Sequence, residues 1–77
     1  MQYVNLNTEL SIVSITRKKI ILKDGLNWEV FPFRNSRPEL WKENDRVTIF
    51  SGSKKSVVNY QMKNINENEI ARAYFIG

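Results

Sequence analysis

The chain contains no cysteine and no histidine in its 77 residues. The first absence removes disulfides and thiolate chemistry. The second removes the commonest general base and the usual nitrogen ligand of zinc, so structural zinc, Ser-His-Asp and Cys-His arrangements are excluded together. Without histidine, no side chain of ordinary pKa titrates between about pH 5 and 8, and a pH switch is not expected. No apolar run approaches the roughly 18 residues that a spanning helix needs, so no membrane span is expected. The opening Met1-Gln2-Tyr3-Val4-Asn5 carries neither the basic nor the apolar segment of a signal peptide. That places the expectation slightly on the cytoplasm.

A single domain, 1–77, is the expectation from length. A domain of this size buries only roughly 60% of the surface its unfolded chain exposes. With no disulfide or metal to help, the apolar core must hold the fold by itself. The formal charge is +4 and the pI about 9.6. That balance favours an anionic partner, but it also suits a soluble domain with no such partner.

The apolar residues are spaced for strands rather than helices. Residues 1–9 are polar and read as a loose or edge-pairing N-terminal arm. Leu10 to Thr16 is rich in β-branched residues, Arg17-Lys18-Lys19 interrupts it, and Ile20-Ile21-Leu22 resumes. Asp24-Gly25 between apolar runs is a hairpin signal, because both residues tolerate positive φ. Asn27 to Phe33 is the return strand, with Pro32 placed at an end or an edge because it lacks an N–H. Ser36-Arg37-Pro38-Glu39 has the form of a capping box with proline just inside. It predicts one helical turn around residues 37–42, with Leu40 and Trp41 held to the core. Strands follow at Arg46–Phe50, Ser56–Lys63 and Ile70–Ile76, separated by polar turns at 51–55 and 64–68. Short strands at this spacing predict an all-β fold, a small SH3-like or OB-like barrel of five to six antiparallel strands.

Part of this pattern resembles a known group. Leu22-Lys23-Asp24-Gly25 with Trp28-Glu29-Val30, then Trp41-Lys42-Glu43-Asn44-Asp45-Arg46-Val47-Thr48-Ile49 and Tyr60, is similar to small bacterial β-barrel domains of unknown function. Those domains carry a DG-x-x-W … W-x-x-GD-x-V-x-I … Y pattern. The resemblance covers Leu22 to about Asn64 and implies a barrel but no activity. Asn44 stands where those sequences usually have glycine, and asparagine also tolerates the left-handed turn.

No enzymatic, cofactor or metal constellation stands out, so no enzyme and no cofactor are expected. Glu43 and Asp45 are read as turn chemistry, with Asp45 accepting from backbone N–H groups ahead of a strand. Trp28 is expected in the core; Trp41, beside a loop, is a candidate for either core or surface. If Trp28 and Val30 point inward, Phe31 and Phe33 point outward, and Phe50 likewise. In the last strand Ala71, Ala73 and Phe75 oppose Ile70, Arg72, Tyr74 and Ile76. A small domain seldom exposes so many aromatics without a partner, unless the arm or the 34–45 loop covers them. The leading expectation is therefore a non-enzymatic interaction module, protein–protein or homo-oligomeric. The alternative is a barrel that binds single-stranded nucleic acid or RNA, with basic residues beside stacking aromatics. The candidate surface is Phe31, Phe33, Arg34, Arg37, Trp41, Lys18, Lys19, Lys54 and Lys55. What separates the two readings is whether the basic residues converge on one face with at least one aromatic.

Overall fold

The structure, a computed structural model, describes residues 5–51 and 60–77. Among these, six antiparallel strands close into a barrel in the order β1-β2-β3-β6-β5-β4. They are β1 (Glu9–Thr16), β2 (Lys19–Leu22), β3 (Asn27–Pro32), β4 (Arg46–Ser51), β5 (Tyr60–Asn64) and β6 (Glu69–Phe75). Two three-stranded meanders, β1-β2-β3 and β4-β5-β6, are joined by the 33–45 segment and sealed along β3·β6 and β1·β4. Closure leaves no unpaired sheet edge among the described strands, which is how a small β fold avoids edge-to-edge aggregation. No helix of the described residues is long and apolar enough to cross a membrane.

Strand alternation fills the interior. Ile20, Leu22, Trp28, Val30, Val47, Ile49, Met62 and Ala71 are all fully buried. Trp28 is the largest of them, and its ring packs edge-on against Tyr60 with centroids 5.4 Å apart and against Phe75 at 5.0 Å. Among the bulky groups β6 contributes the small, buried Ala71 and Ala73, and an interior of this kind is filled by large and small side chains side by side.

One strand changes partner along its length. β1 pairs through Glu9–Ser11 with β4, and from Ile12 onward with β2. The change of partner coincides with a register shift between Ile12 and Ser14, which leaves Val13 as an extra, half-exposed residue. A bulge of this kind bends a strand and increases its twist, which is what the barrel corner needs. The same site is braced by the 41–45 loop: Asn44 N–H donates to Ile12 O at 2.8 Å, and Ile12 N–H to Asp45 O at 2.9 Å.

The turns refine the sequence reading. At the β2–β3 hairpin only Gly25 has positive φ (83°); Asp24 instead accepts the Leu26 N–H through Oδ1 at 3.1 Å. Gly25 N–H reaches Leu22 O at 2.8 Å, so the loop is a three-residue turn ending in a left-handed glycine rather than a two-residue one. Asn44 takes φ 75°, as its place before Asp45 requires.

The capping box does not form. Ser36 Oγ accepts the Phe33 N–H at 2.8 Å, closing a turn behind it, and the 3₁₀ turn Pro38–Leu40 has no side-chain cap. Leu40 is 63% exposed, whereas Pro38 and Trp41 are buried, so the proline and the tryptophan anchor this segment. A single 3₁₀ turn points its third residue away from the face that its first and fourth share. The predicted 51–55 turn and most of the predicted strand from Ser56, Val58 included, lie outside the described residues. So do residues 1–4; the rest of the arm is tied down. Asn7 N–H donates to Ile49 O at 2.8 Å and the Asn5 amide to Asp24 at 3.0 Å.

Among the described residues two polar side chains are buried, and they bond to each other. Asn64 Nδ2 donates to Asp45 Oδ2 at 3.0 Å, the Lys42 N–H adds a second donor at 3.2 Å, and Asn64 Oδ1 receives the Glu67 N–H at 2.9 Å. Asp45 thus has the turn role its sequence position suggests, while Asn64 belongs to β5 and not to the following turn. Replacing Asn64 with leucine is expected to cost about 2–3 kcal/mol in urea unfolding, because it deprives a buried carboxylate of a donor. Trp28→Ala is expected to cost about 3–5 kcal/mol, close to the whole stability of so small a domain. A loss below about 1 kcal/mol in either variant would contradict the packing described.

Candidate functional site

The outer surface of the β3·β6 seam follows from register. Residues directly opposite in an antiparallel pair share a face. Val30 opposes Ala73 inside the barrel, so Phe31 opposing Arg72, and Glu29 opposing Tyr74, lie outside. The row continues through Gln61 on β5 to Phe50 on β4. Phe31 also meets Tyr74 diagonally, edge to face, with ring centroids 5.3 Å apart. Diagonal neighbours in a sheet are within reach of aromatic side chains, and such pairs contribute roughly 0.5–1.5 kcal/mol.

Cations are laid over these rings from three separate places in the chain. Lys18 Nζ sits 4.7 Å from the Phe31 centroid. It is brought there by the two-residue β1–β2 turn, whose Lys18 carbonyl accepts the Val30 N–H at 2.8 Å. Arg34, from the turn after β3, and Arg72, from β6, both address Phe33, at 5.3 and 5.5 Å from its centroid. Each such contact is worth roughly 0.5–1 kcal/mol when exposed, enough to orient the side chains without fixing them. The turns that deliver Lys18 and Arg34 both hold an arginine in left-handed backbone, Arg17 at φ 56° and Arg34 at 59°. That conformation is costly for a residue with a Cβ and is maintained by the surrounding bonds.

The candidate surface inferred from sequence is therefore partly assembled. Phe31, Phe33, Lys18 and Arg34 come together, and Lys19, which pairs with Glu29, flanks them on the same face. Arg37 is exposed at the neighbouring turn and lies 3.8 Å from Glu39. Trp41 is 3% exposed and belongs to the core, so it offers no stacking surface. Lys54 and Lys55 lie outside the described residues. Arg72 and Tyr74 complete the face but were not singled out from sequence. Alternation marks them as one of two possible outward sets, and only the pairing of β6 with β3 puts that set beside Phe31. Glu43 is exposed and Asp45 is buried against Asn64, so the two do not form a paired-carboxylate site.

No family model, curated protein or solved structure matches this chain.

Below the aromatic face, the Phe33–Ser36 turn and residues Asn68–Ile70 enclose an open groove of about 500 Å³. Glu69 stands at its edge. Its Oε1 accepts the Trp41 indole N–H at 2.9 Å and the Arg37 backbone N–H at 3.1 Å. These two bonds, the indole first, hold the carboxyl below its ordinary pKa, with a further contribution from the Arg37 charge. A depressed carboxylate stabilises the fold above the pKa it has in the unfolded chain, and the benefit is lost as pH falls through the lower, folded value. The stability advantage of the native protein over Glu69→Gln is therefore expected to be full near neutrality and to shrink below about pH 4.5. Thermal melts across that range, followed by circular dichroism, check this; an advantage that grows on acidification would reverse the assignment.

Proposed function

We propose that this chain is a non-enzymatic barrel that binds single-stranded nucleic acid on the face formed by β3 and β6. The observation that carries the proposal is the convergence of Lys18, Arg34 and Arg72 over Phe31 and Phe33, with Tyr74 packed beside them. Binding a strand without a partner strand needs two things on one surface: aromatic planes for bases and cations for phosphates. Here both occur within one patch, in which Glu29 is the carboxylate that opposes Tyr74. Small Greek-key barrels of the OB type use a strand face and its bordering loops in this way. We infer that manner of use, and not the five-stranded OB topology, for these six strands. A cytoplasmic setting, where nucleic acid is at hand, fits the same reading.

The convergence shifts the balance away from apolar docking. Phe31 and Phe33 are half-buried and carry weakly held cations on their rings, so the patch combines charge with aromatic area rather than presenting apolar area alone. Among the described residues, Tyr74 is the exposed large hydrophobic side chain on this face; Val13 in the β1 bulge, Leu40 in the 3₁₀ turn, Ile65 after β5 and Ile76 after β6 lie elsewhere.

Amide NMR titration with a mixed-sequence single-stranded oligonucleotide tests the proposal. Shifts are expected to cluster on residues 17–19, 29–34 and 70–75 and to weaken steeply with salt. Arg72→Gln is expected to lower the slope of log K against log salt by about 0.7, the contribution of one phosphate contact on a single strand. Phe31→Ala is expected to cost about 1–3 kcal/mol of binding, as loss of a stacking plane does. Absence of shifts at about 50 mM salt would sink the proposal, since phosphate contacts are strongest when counterions are few. Sedimentation showing a stable dimer whose interface contains Phe31 would replace it with self-association.

A further inference from the structure

We propose that the groove at the end of the β3·β6 seam receives one base of the bound strand and selects for an exocyclic amino group through Oε2 of Glu69. The inference rests on the nucleic-acid reading of the adjoining face and adds a base preference to it.

The groove continues directly from the aromatic face, because Phe33 belongs to both. Its volume of about 500 Å³ falls within the range of sites that hold small organic molecules. The groove is lined by charges of both signs. Arg34 and Glu69 border it, Arg34 and Arg72 stand over Phe33, and the Arg37 charge lies close to Glu69. An isolated phosphate would be attracted by the arginines and repelled by the carboxylate. A nucleotide satisfies both, with its phosphate on the arginines, its ring plane against Phe33, and an N–H donor edge toward the carboxylate.

Glu69 is prepared for that contact. Oε1 is occupied by the Trp41 and Arg37 N–H groups, which fix the plane of the carboxylate and keep it ionised. Oε2 makes no hydrogen bond among the described residues, so the carboxylate has acceptor capacity left over. Cytosine, adenine and guanine each carry an amino group that can donate to it; carboxylates accept from the cytosine amino group in just this way. Uracil has no amino group, and its single N–H is flanked by two carbonyl oxygens that a carboxylate repels. Arg34, which borders the groove, is in left-handed backbone at φ 59°, a conformation that is costly for a residue other than glycine or asparagine.

The test is fluorescence anisotropy with labelled r(UUUUUUU) and the same heptamer carrying C, A, G or inosine at its centre, at low salt. The heptamers with C, A or G are expected to bind roughly tenfold to a hundredfold tighter than the all-uridine one, the effect of one hydrogen bond to a charged acceptor. Inosine, which is guanine without its amino group, is expected to fall back toward uridine. In Glu69→Gln the amide oxygen can keep the Trp41 and Arg37 bonds while an NH₂ replaces Oε2, so the preference for amino-bearing bases should fall to less than about twofold. A thermal melt of the variant establishes that it is folded, and the guanosine–inosine comparison on the native protein needs no variant at all. If every heptamer binds and all agree within twofold, the amino-group pocket is refuted while the nucleic-acid face stands. If none binds, both fail.

Discussion

The pairing of β3 with β6 is the constraint on which the rest depends. It joins the two meanders at one side, as β1·β4 does at the other, and it aligns Val30 with Ala73 inside and Phe31 with Arg72 outside. Side-chain period in a strand is two, so a slip of β3 by one residue along this seam would turn Phe31 inward and expose Trp28 and Val30. The full burial of Trp28, against Tyr60 and Phe75, makes that slip prohibitive. The core therefore dictates the geometry of the outer face. The cation–π contacts are weak individually, but they are placed by a register that the whole interior enforces.

The ends of the barrel are organised by side chains that answer backbone groups. Asp45 and Asn64 tie the 41–45 loop to β5, and Glu69 ties the 3₁₀ segment to β6 through Trp41 and Arg37. The chain has three glycines, and much of its left-handed backbone falls to other residues, among them Asn7, Asn44 and Asn68. Asparagine tolerates that region because its amide can bond locally. Arg17 and Arg34 have no such compensation. Both lie in turns that bring a cation onto an aromatic ring, which links backbone strain in this molecule to the proposed site.

Strand positions were legible wherever alternation was clean. β3, β4 and β6 fall within a residue or two of where the apolar pattern puts them, and Asp45 has the turn role its neighbours suggest. The errors arose where a local motif had a competing use. Ser36 has the spacing of an N-cap, yet its hydroxyl bonds backward to Phe33, because the turn after β3 exposes that N–H first. Leu40 is apolar and Pro38 is not a typical anchor, but in a single 3₁₀ turn the direction of the chain decides which one faces the core. Asn64 looks like a turn residue until its buried partner is known.

Sequence alone determined the chemistry that is ruled out, the strand-rich character and the inward set on most strands. These depend on composition and on contacts between near neighbours, which the order of residues encodes directly. Tertiary structure decided which outward residues meet. Lys18, Phe31, Phe33, Arg34, Arg72 and Tyr74 come from two ends of the chain, and nothing in either end specifies the other. Long-range strand pairing is chosen by the combined packing of the interior and by barrel closure, a property of the whole chain. The face, and the carboxylate poised beside it, exist only once that choice has been made.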